Sequence, residues 1–215
     1  PGAGIGGNVS LAVSSGGTIS APSLVVDAGG TGLYSPLLGG NATGGSIAAT
    51  VNGGSLNVAS VTLSANATSG SGTSSTAGIA NGGSVSLDLL NSTSSIGSIS
   101  LSANAQAPTY SMTERAGAAT GGSTRLHLGN GTALNLSGGA YLDSSAFIGP
   151  TVDPGTLATG GSSDILVDTG AALSSGNDVS AFSRATISAQ SAFSSPDVTP
   201  GTTGGSARIL ADGGS

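Results

Sequence analysis

The chain has 215 residues, of which 39 are Gly, only 7% are charged and only 3% are aromatic, and its formal net charge is −6. With no Lys and just four Arg it lacks the clustered cations that grip phosphate, which argues against nucleic acid and against anionic membrane surfaces. It has no Cys to staple a small core, yet 37% of it is hydrophobic and its mean hydropathy is +0.26, which is too apolar for a disordered chain.

The first recognisable unit opens at Gly6-Gly7-Asn8, and its pattern returns down the chain. Gly44-Gly45-Ser46, Gly82-Gly83-Ser84, Gly121-Gly122-Ser123, Gly160-Gly161-Ser162 and Gly204-Gly205-Ser206 repeat it. The first glycines stand at 6, 44, 82, 121, 160 and 204, so the spacing is 38, 38, 39, 39 and 44. A fixed period of this length is the mark of a stacked repeat architecture.

After each Gly pair, apolar and polar residues alternate. Val9, Leu11 and Val13 face one way in the first unit, and Ile47, Ala49 and Val51 in the second. Val85, Leu87 and Leu89 come next, then Thr124, Leu126 and Leu128, then Ser163, Ile165 and Val167, then Ala207, Ile209 and Ala211. Period-two alternation predicts a strand with one buried face. The shared offset predicts that Leu11, Val85, Leu87, Leu89, Leu126, Leu128, Ile165, Val167 and Ile209 are buried in stacked columns. The outward column between them reads Ser10, Ala48, Ser86, Arg125, Asp164 and Arg208. It predicts a surface ladder of alternating charge at its upper end.

A second apolar cluster appears later in each unit, as in Leu56, Val58, Val61, Leu63 and Ala65. In the fifth unit it is spread over Leu173, Val179 and Ala181, and the greater length of that unit points to an insertion. Each unit closes in a segment without alternation, roughly 29–43, 68–81, 105–120, 145–159 and 190–203. These hold Pro36, Pro108, Pro150, Pro154, Pro196 and Pro200, residues that cannot donate to a sheet ladder. The expected unit is three short strands and one longer loop, with Gly at the corners supplying positive φ in tight turns. Such a unit buries its apolar face only by stacking on its neighbours.

The recurring GGSxxL unit, succeeded by a segment like SLNVASVTLSANA at residues 55–67, resembles filamentous-haemagglutinin-like and autotransporter-type bacterial exoproteins with Gly/Ser-rich strand repeats. The resemblance covers the whole chain. It implies an all-β fold, a right-handed parallel β-helix (β-solenoid), and a place outside the cell or on the bacterial surface. Residues 1–215 are expected to form one solenoid region of about six coils, one per 38–44-residue repeat; two smaller coils per repeat is the alternative. Starting at Pro1 rather than Met, the chain reads as an excerpt of a longer one. At about 4.8 Å per coil it would be roughly 25–30 Å long.

Candidates for chemistry are few. The ten carboxylates include a single Glu, Glu114, and lie far apart in the sequence. Asp164 and Asp168 are four residues apart, and Asp143 and Asp153 flank a loop. His127 is the only histidine, and the repeat places Asp88 at the same strand position one coil earlier. That reads as an exposed cross-coil pair contributing a few tenths of a kcal/mol. No Asp recurs at a fixed offset after the Gly pairs, as a calcium-binding repeat requires. Among six N-x-S/T sequons, Asn41 and Asn66 are the loop candidates for glycosylation. No enzyme activity and no cofactor is expected.

The aromatics Tyr34, Tyr110, Phe147 and Phe193 lie in or beside the loops and are the candidate interaction residues, since aromatic side chains dominate interface energetics. The expected function is a structural or adhesive stalk or fibre. A carbohydrate-binding or carbohydrate-cleaving β-helix is the alternative. Expected partners are further coils of the same chain or identical subunits stacked end to end, together with host or matrix glycans.

Overall fold

The computed structural model describes residues 2–35, 37–72, 76–109, 117–150, 156–188 and 201–212. These residues form a parallel β-solenoid. Each turn of chain visits four sheets in the same order, and every strand pairs with its counterpart one repeat away. Asn8 pairs with Ser46, Ser46 with Ser84, Ser84 with Ser123 and Ser123 with Ser162, all parallel. One rung per repeat excludes the two-coil alternative.

Sheet 1 consists of short strands just before the Gly pairs, from Gly4–Ile5 to Gly201–Thr203. Sheet 2 lies just after the Gly pairs, from Asn8–Val13 to Ser206–Ala211. Sheet 3 begins with the ten-residue strands Thr18–Asp27, Ser55–Ser64 and Thr93–Ser102. Sheet 4 is built of short strands from Gly30–Thr31 to Ala185–Ile187. Sheets 1 and 2 are six rungs deep and sheets 3 and 4 are five. Among the described residues there are therefore five complete coils and the opening of a sixth, rather than six.

Sheets 1 and 4 lie largely within the segments expected to be loops. Their strands are two or three residues long, too short to display an alternation. Their inward residues, such as Ala42, Ala67, Ala80, Ala105 and Ala119, make a thin second core of small side chains. The main core lies between sheets 2 and 3, where Leu56, Leu63, Leu87, Leu89, Leu101, Leu126, Leu128 and Leu142 are fully buried. The expected columns hold through the middle coils. Leu11, in the first coil, is only half-buried. Ile209 is 58% exposed, because its coil has no rung of sheet 3 among the described residues to cover it.

The expected positive-φ glycines at the corners are present, but they are not the Gly pairs. None of those pairs has positive φ; that geometry belongs to the turn between sheets 2 and 3, at Gly16, Gly53, Asn91, Gly131 and Gly170. Asn takes the position once, as the side chain that best tolerates it. The Gly pairs instead form a waist between the two cores. A Cβ on Gly44 would lie 2.0 Å from the Ala65 carbonyl oxygen, and one on Gly122 would lie 1.9 Å from that of Gly83. Across the waist the N–H of Gly83 donates to Ala65 at 2.8 Å, and that of Gly122 to Ala103 at 2.7 Å. The repeating Gly-Gly records backbone meeting backbone on two sides, where no side chain fits.

The insertion in the fifth repeat is also placed. Ala133 pairs with Ala172 and Ala140 with Val179, so the spread along Leu173, Val179 and Ala181 is the ordinary rung of sheet 3. The surplus falls between Ile187 and Gly201, the last and first paired residues on either side of it.

Candidate functional site

Polar chemistry is concentrated in the upper coils. Of the 14 charged residues, only Asp27 precedes Asp88. On the outward face of sheet 2 the repeat aligns Asp88 with His127, and Arg125 with Asp164 and Arg208. The register is the expected one, but the pairing differs. The Arg208 Nε donates to Asp164 Oδ1 at 2.9 Å, whereas Arg125 reaches diagonally to Asp88 Oδ1 at 2.6 Å. His127 lies between two carboxylates, with Nδ1 3.4 Å from Asp88 and Nε2 3.0 Å from Asp168. A guanidinium is long enough to choose the diagonal neighbour over the one directly opposite. Asp164 and Asp168 are thus each engaged with a different partner, Arg208 and His127, and not with each other. Among the described residues no group of three or more His, Asp or Glu is arranged to hold a metal ion.

A second cluster lies on the corner between sheets 3 and 4. Sheet 3 is interrupted in the fourth coil, where its rung divides into Ala133–Leu136 and Ala140–Asp143. Leu136 pairs with Ile96 and Ala140 with Ile99, so three residues here oppose two in the coil below. That is a bulge of one residue, a device that bends a strand and re-aims the side chains beyond it. Just past the bulge, Tyr141 projects outward. Its ring lies 5.1 Å from that of Phe182 in the next coil, and the Arg184 guanidinium sits 4.5 Å above the Phe182 ring. The Tyr141 hydroxyl donates to Asp143 Oδ2 at 3.3 Å. Partial burial, then the neighbouring Asp143 carboxylate, raise the Tyr141 phenol above its ordinary value.

Below this corner runs an amide ladder. The Asn104 N–H donates to Asn66 Oδ1, and the Ser145 N–H to Asn104 Oδ1, each at 2.7 Å. The Asn66 amide also donates to Ser64 and Ser102, so this sequon asparagine is built into the corner.

Of the expected interaction residues, Phe147 is 39% exposed and lines a groove of about 440 Å³ beside Asn104, Gln106, Asp143 and Ser145. Tyr34 is also exposed, but it lies on the lower coils, in a groove of about 550 Å³ with Thr31, Thr68, Ser69 and Pro108. Tyr110 and Phe193 lie outside the described residues, as do Glu114 and Asp153. A further groove of about 650 Å³ runs along Asn57, Ser95, Asn135 and Ser174 on sheet 3 and is lined by no charged or aromatic side chain. Sequence reasoning missed the pairing of Tyr141, Phe182 and Arg184. The signal was the period itself, which sets Phe182 beside Asp143, two residues from Tyr141.

Comparison with models of known protein families, with curated proteins and with solved structures finds no match.

Proposed function

We propose that this chain is part of a rigid stalk or fibre of an extracellular bacterial surface protein, of the filamentous-haemagglutinin-like or autotransporter type, with a structural or adhesive role rather than a catalytic one. The observation that carries this reading is the continuity of the parallel ladders: sheet 2 runs unbroken through six rungs with its register kept throughout. Stiffness comes from such a ladder, because bending it requires many backbone hydrogen bonds to distort together. Low charge and small outward side chains suit a surface that lies beside others. The rows Val9, Leu11, Ile19 and Leu24 at one end, and Leu173, Val179 and Ile187 at the other, are only partly buried. Further coils of the same chain, or identical subunits stacked end to end, would cover them.

The test is localisation. Antibody raised against residues 1–215, used for gold labelling of cells that make the protein, should decorate extracellular fibres. Label confined to the cytoplasm would overturn the proposal. Light scattering on the isolated chain tests the covering of the ends: concentration-dependent growth supports end-to-end stacking, whereas a stable, soluble monomer at high concentration would show that the ends are self-sufficient and would overturn that part of the proposal.

A further inference from the structure

The corner of coils three to five combines features that the stalk role does not require. Tyr141 and Phe182 are paired, Arg184 covers the Phe182 ring, and Phe147 lines a groove of about 440 Å³ with Gln106 and Asp143. Tyr141 is 47% exposed and Phe147 39%, although this chain has aromatic residues at only 3% of its positions. Aromatic rings placed outward cost hydration unless something covers them.

We infer that this corner is a binding site for a neutral saccharide. A sugar ring offers an apolar C–H face and a rim of hydroxyls. The corner offers two partly exposed rings, Tyr141 and Phe147, beside two exposed polar side chains: the Gln106 amide makes no side-chain hydrogen bond among the described residues, and the Arg184 guanidinium lies over the Phe182 ring and close enough to Tyr141 to act on its phenol. Asp143 is occupied in positioning. It accepts from the Tyr141 hydroxyl at 3.3 Å, from the Asn104 amide at 3.3 Å and from the Ser145 N–H at 3.1 Å, which holds the tyrosine ring before a ligand arrives and lowers the cost of ordering it. One carboxylate and one guanidinium leave the corner with no excess charge to draw an ionic ligand. The groove is large enough for one or two sugar units.

A peptide fits the corner less well. The strand Ala140–Asp143 is paired with Ile99–Ser102 on one side and Val179–Phe182 on the other. Ala146–Ile148 is likewise paired with Ala105–Ala107 and Ala185–Ile187. No free backbone edge is left to take an added strand. This inference is independent of the stalk reading, since a rod without the site would remain a rod.

The test uses the full 215-residue chain with three neutral probes, cellohexaose, laminarihexaose and chitotetraose, observed by saturation-transfer NMR. At least one should bind with a Kd between about 10 μM and about 1 mM. The double variant Tyr141→Ser/Phe147→Ser should weaken it about tenfold or more, and Gln106→Ala/Arg184→Ala at least about threefold. Circular dichroism and the scattering dimensions of the rod should be unchanged in the second variant, which alters two exposed side-chain ends. If none of the three binds at about 10 mM, or if binding is equal in wild type and both variants, the proposal fails. Capture of an amphipathic peptide at this corner, with no saccharide binding, also overturns it.

Discussion

Coils one to three and coils four and five share one backbone plan but differ in what fills it. In the lower coils the rung of sheet 3 is a single ten-residue strand; in the upper coils it is two strands of four. The inward column beside the waist is Val9, Ile47 and Val85 below, then Thr124 and Ser163 above. Facing it, Ala28, Ala65 and Ala103 give way to Ser144 and Ser183. The upper hydroxyls satisfy one another: Thr124 and Ser163 are 2.8 Å apart, Ser144 and Ser163 are 2.9 Å apart, and Ser163 donates to the Phe182 carbonyl at 2.7 Å. Buried polar groups are tolerated when paired. The lesson is that the ladder sets the fold, while the columns are free to exchange apolar filling for polar filling. The upper coils use that freedom, and they carry the outward aromatic corner and most of the charge.

The waist is common to both halves, and breaking it should have the largest effect in either. Gly83→Ala and Gly122→Ala place a Cβ 2.0 and 1.9 Å from backbone oxygens. Each should cost about 4 kcal/mol or more, or prevent folding. Gly7→Ala, at the same column but with nothing within 4 Å of its Cβ, should change stability by no more than about 0.5 kcal/mol. Urea denaturation of the three variants decides; equal costs at Gly7 and Gly122 would refute the close-approach account.

Core truncation should distinguish the halves. Leu87 and Leu101 are fully buried, and changing either to Ala should cost about 3–5 kcal/mol. Leu173 is only partly buried in coil five, so Leu173→Ala should cost less than about 2 kcal/mol. Similar midpoint shifts for Leu101→Ala and Leu173→Ala would mean that the upper coils are covered in solution by another chain.

Next in size is the hydroxyl network. Ser163→Ala leaves Thr124 and Ser144 each short of a partner and should cost about 1–3 kcal/mol. Replacing the set together, as Thr124→Val/Ser144→Ala/Ser163→Ala, removes the groups that need partners and should recover most of the loss. A triple variant weaker than the single would show that the polar filling is itself stabilising.

The smallest effect belongs to the charged face. Asp88→Asn keeps an acceptor oxygen but removes the negative charge that faces Arg125 and His127. Arg125 and His127 are both partly exposed, so the loss should be no more than about 1 kcal/mol and should shrink as salt is raised. A larger, salt-independent loss would assign this face a part in holding the coils in register.

Much of this architecture was legible in the sequence for a simple reason. A parallel stack places each residue on its counterpart one period away, so periodicity and contact are the same information. The alignment of Leu87 with Leu126, of Asp88 with His127, and of Asp164 with Arg208 could be read directly. Three things could not. The strands of sheets 1 and 4 are too short to alternate. The reason for the Gly pairs lies in backbone on the far side of the coil, Ala65 opposite Gly44, which no local pattern records. Which acceptor Arg125 takes, and whether Tyr141 finds Phe182, depend on side-chain reach and on the bulge at residues 137–139. The period and alternation by themselves determined the stack, its register and its core columns. Only the tertiary structure decided where the chain closes on itself and which outward side chains meet, because those depend on distances across the coil and not along the sequence.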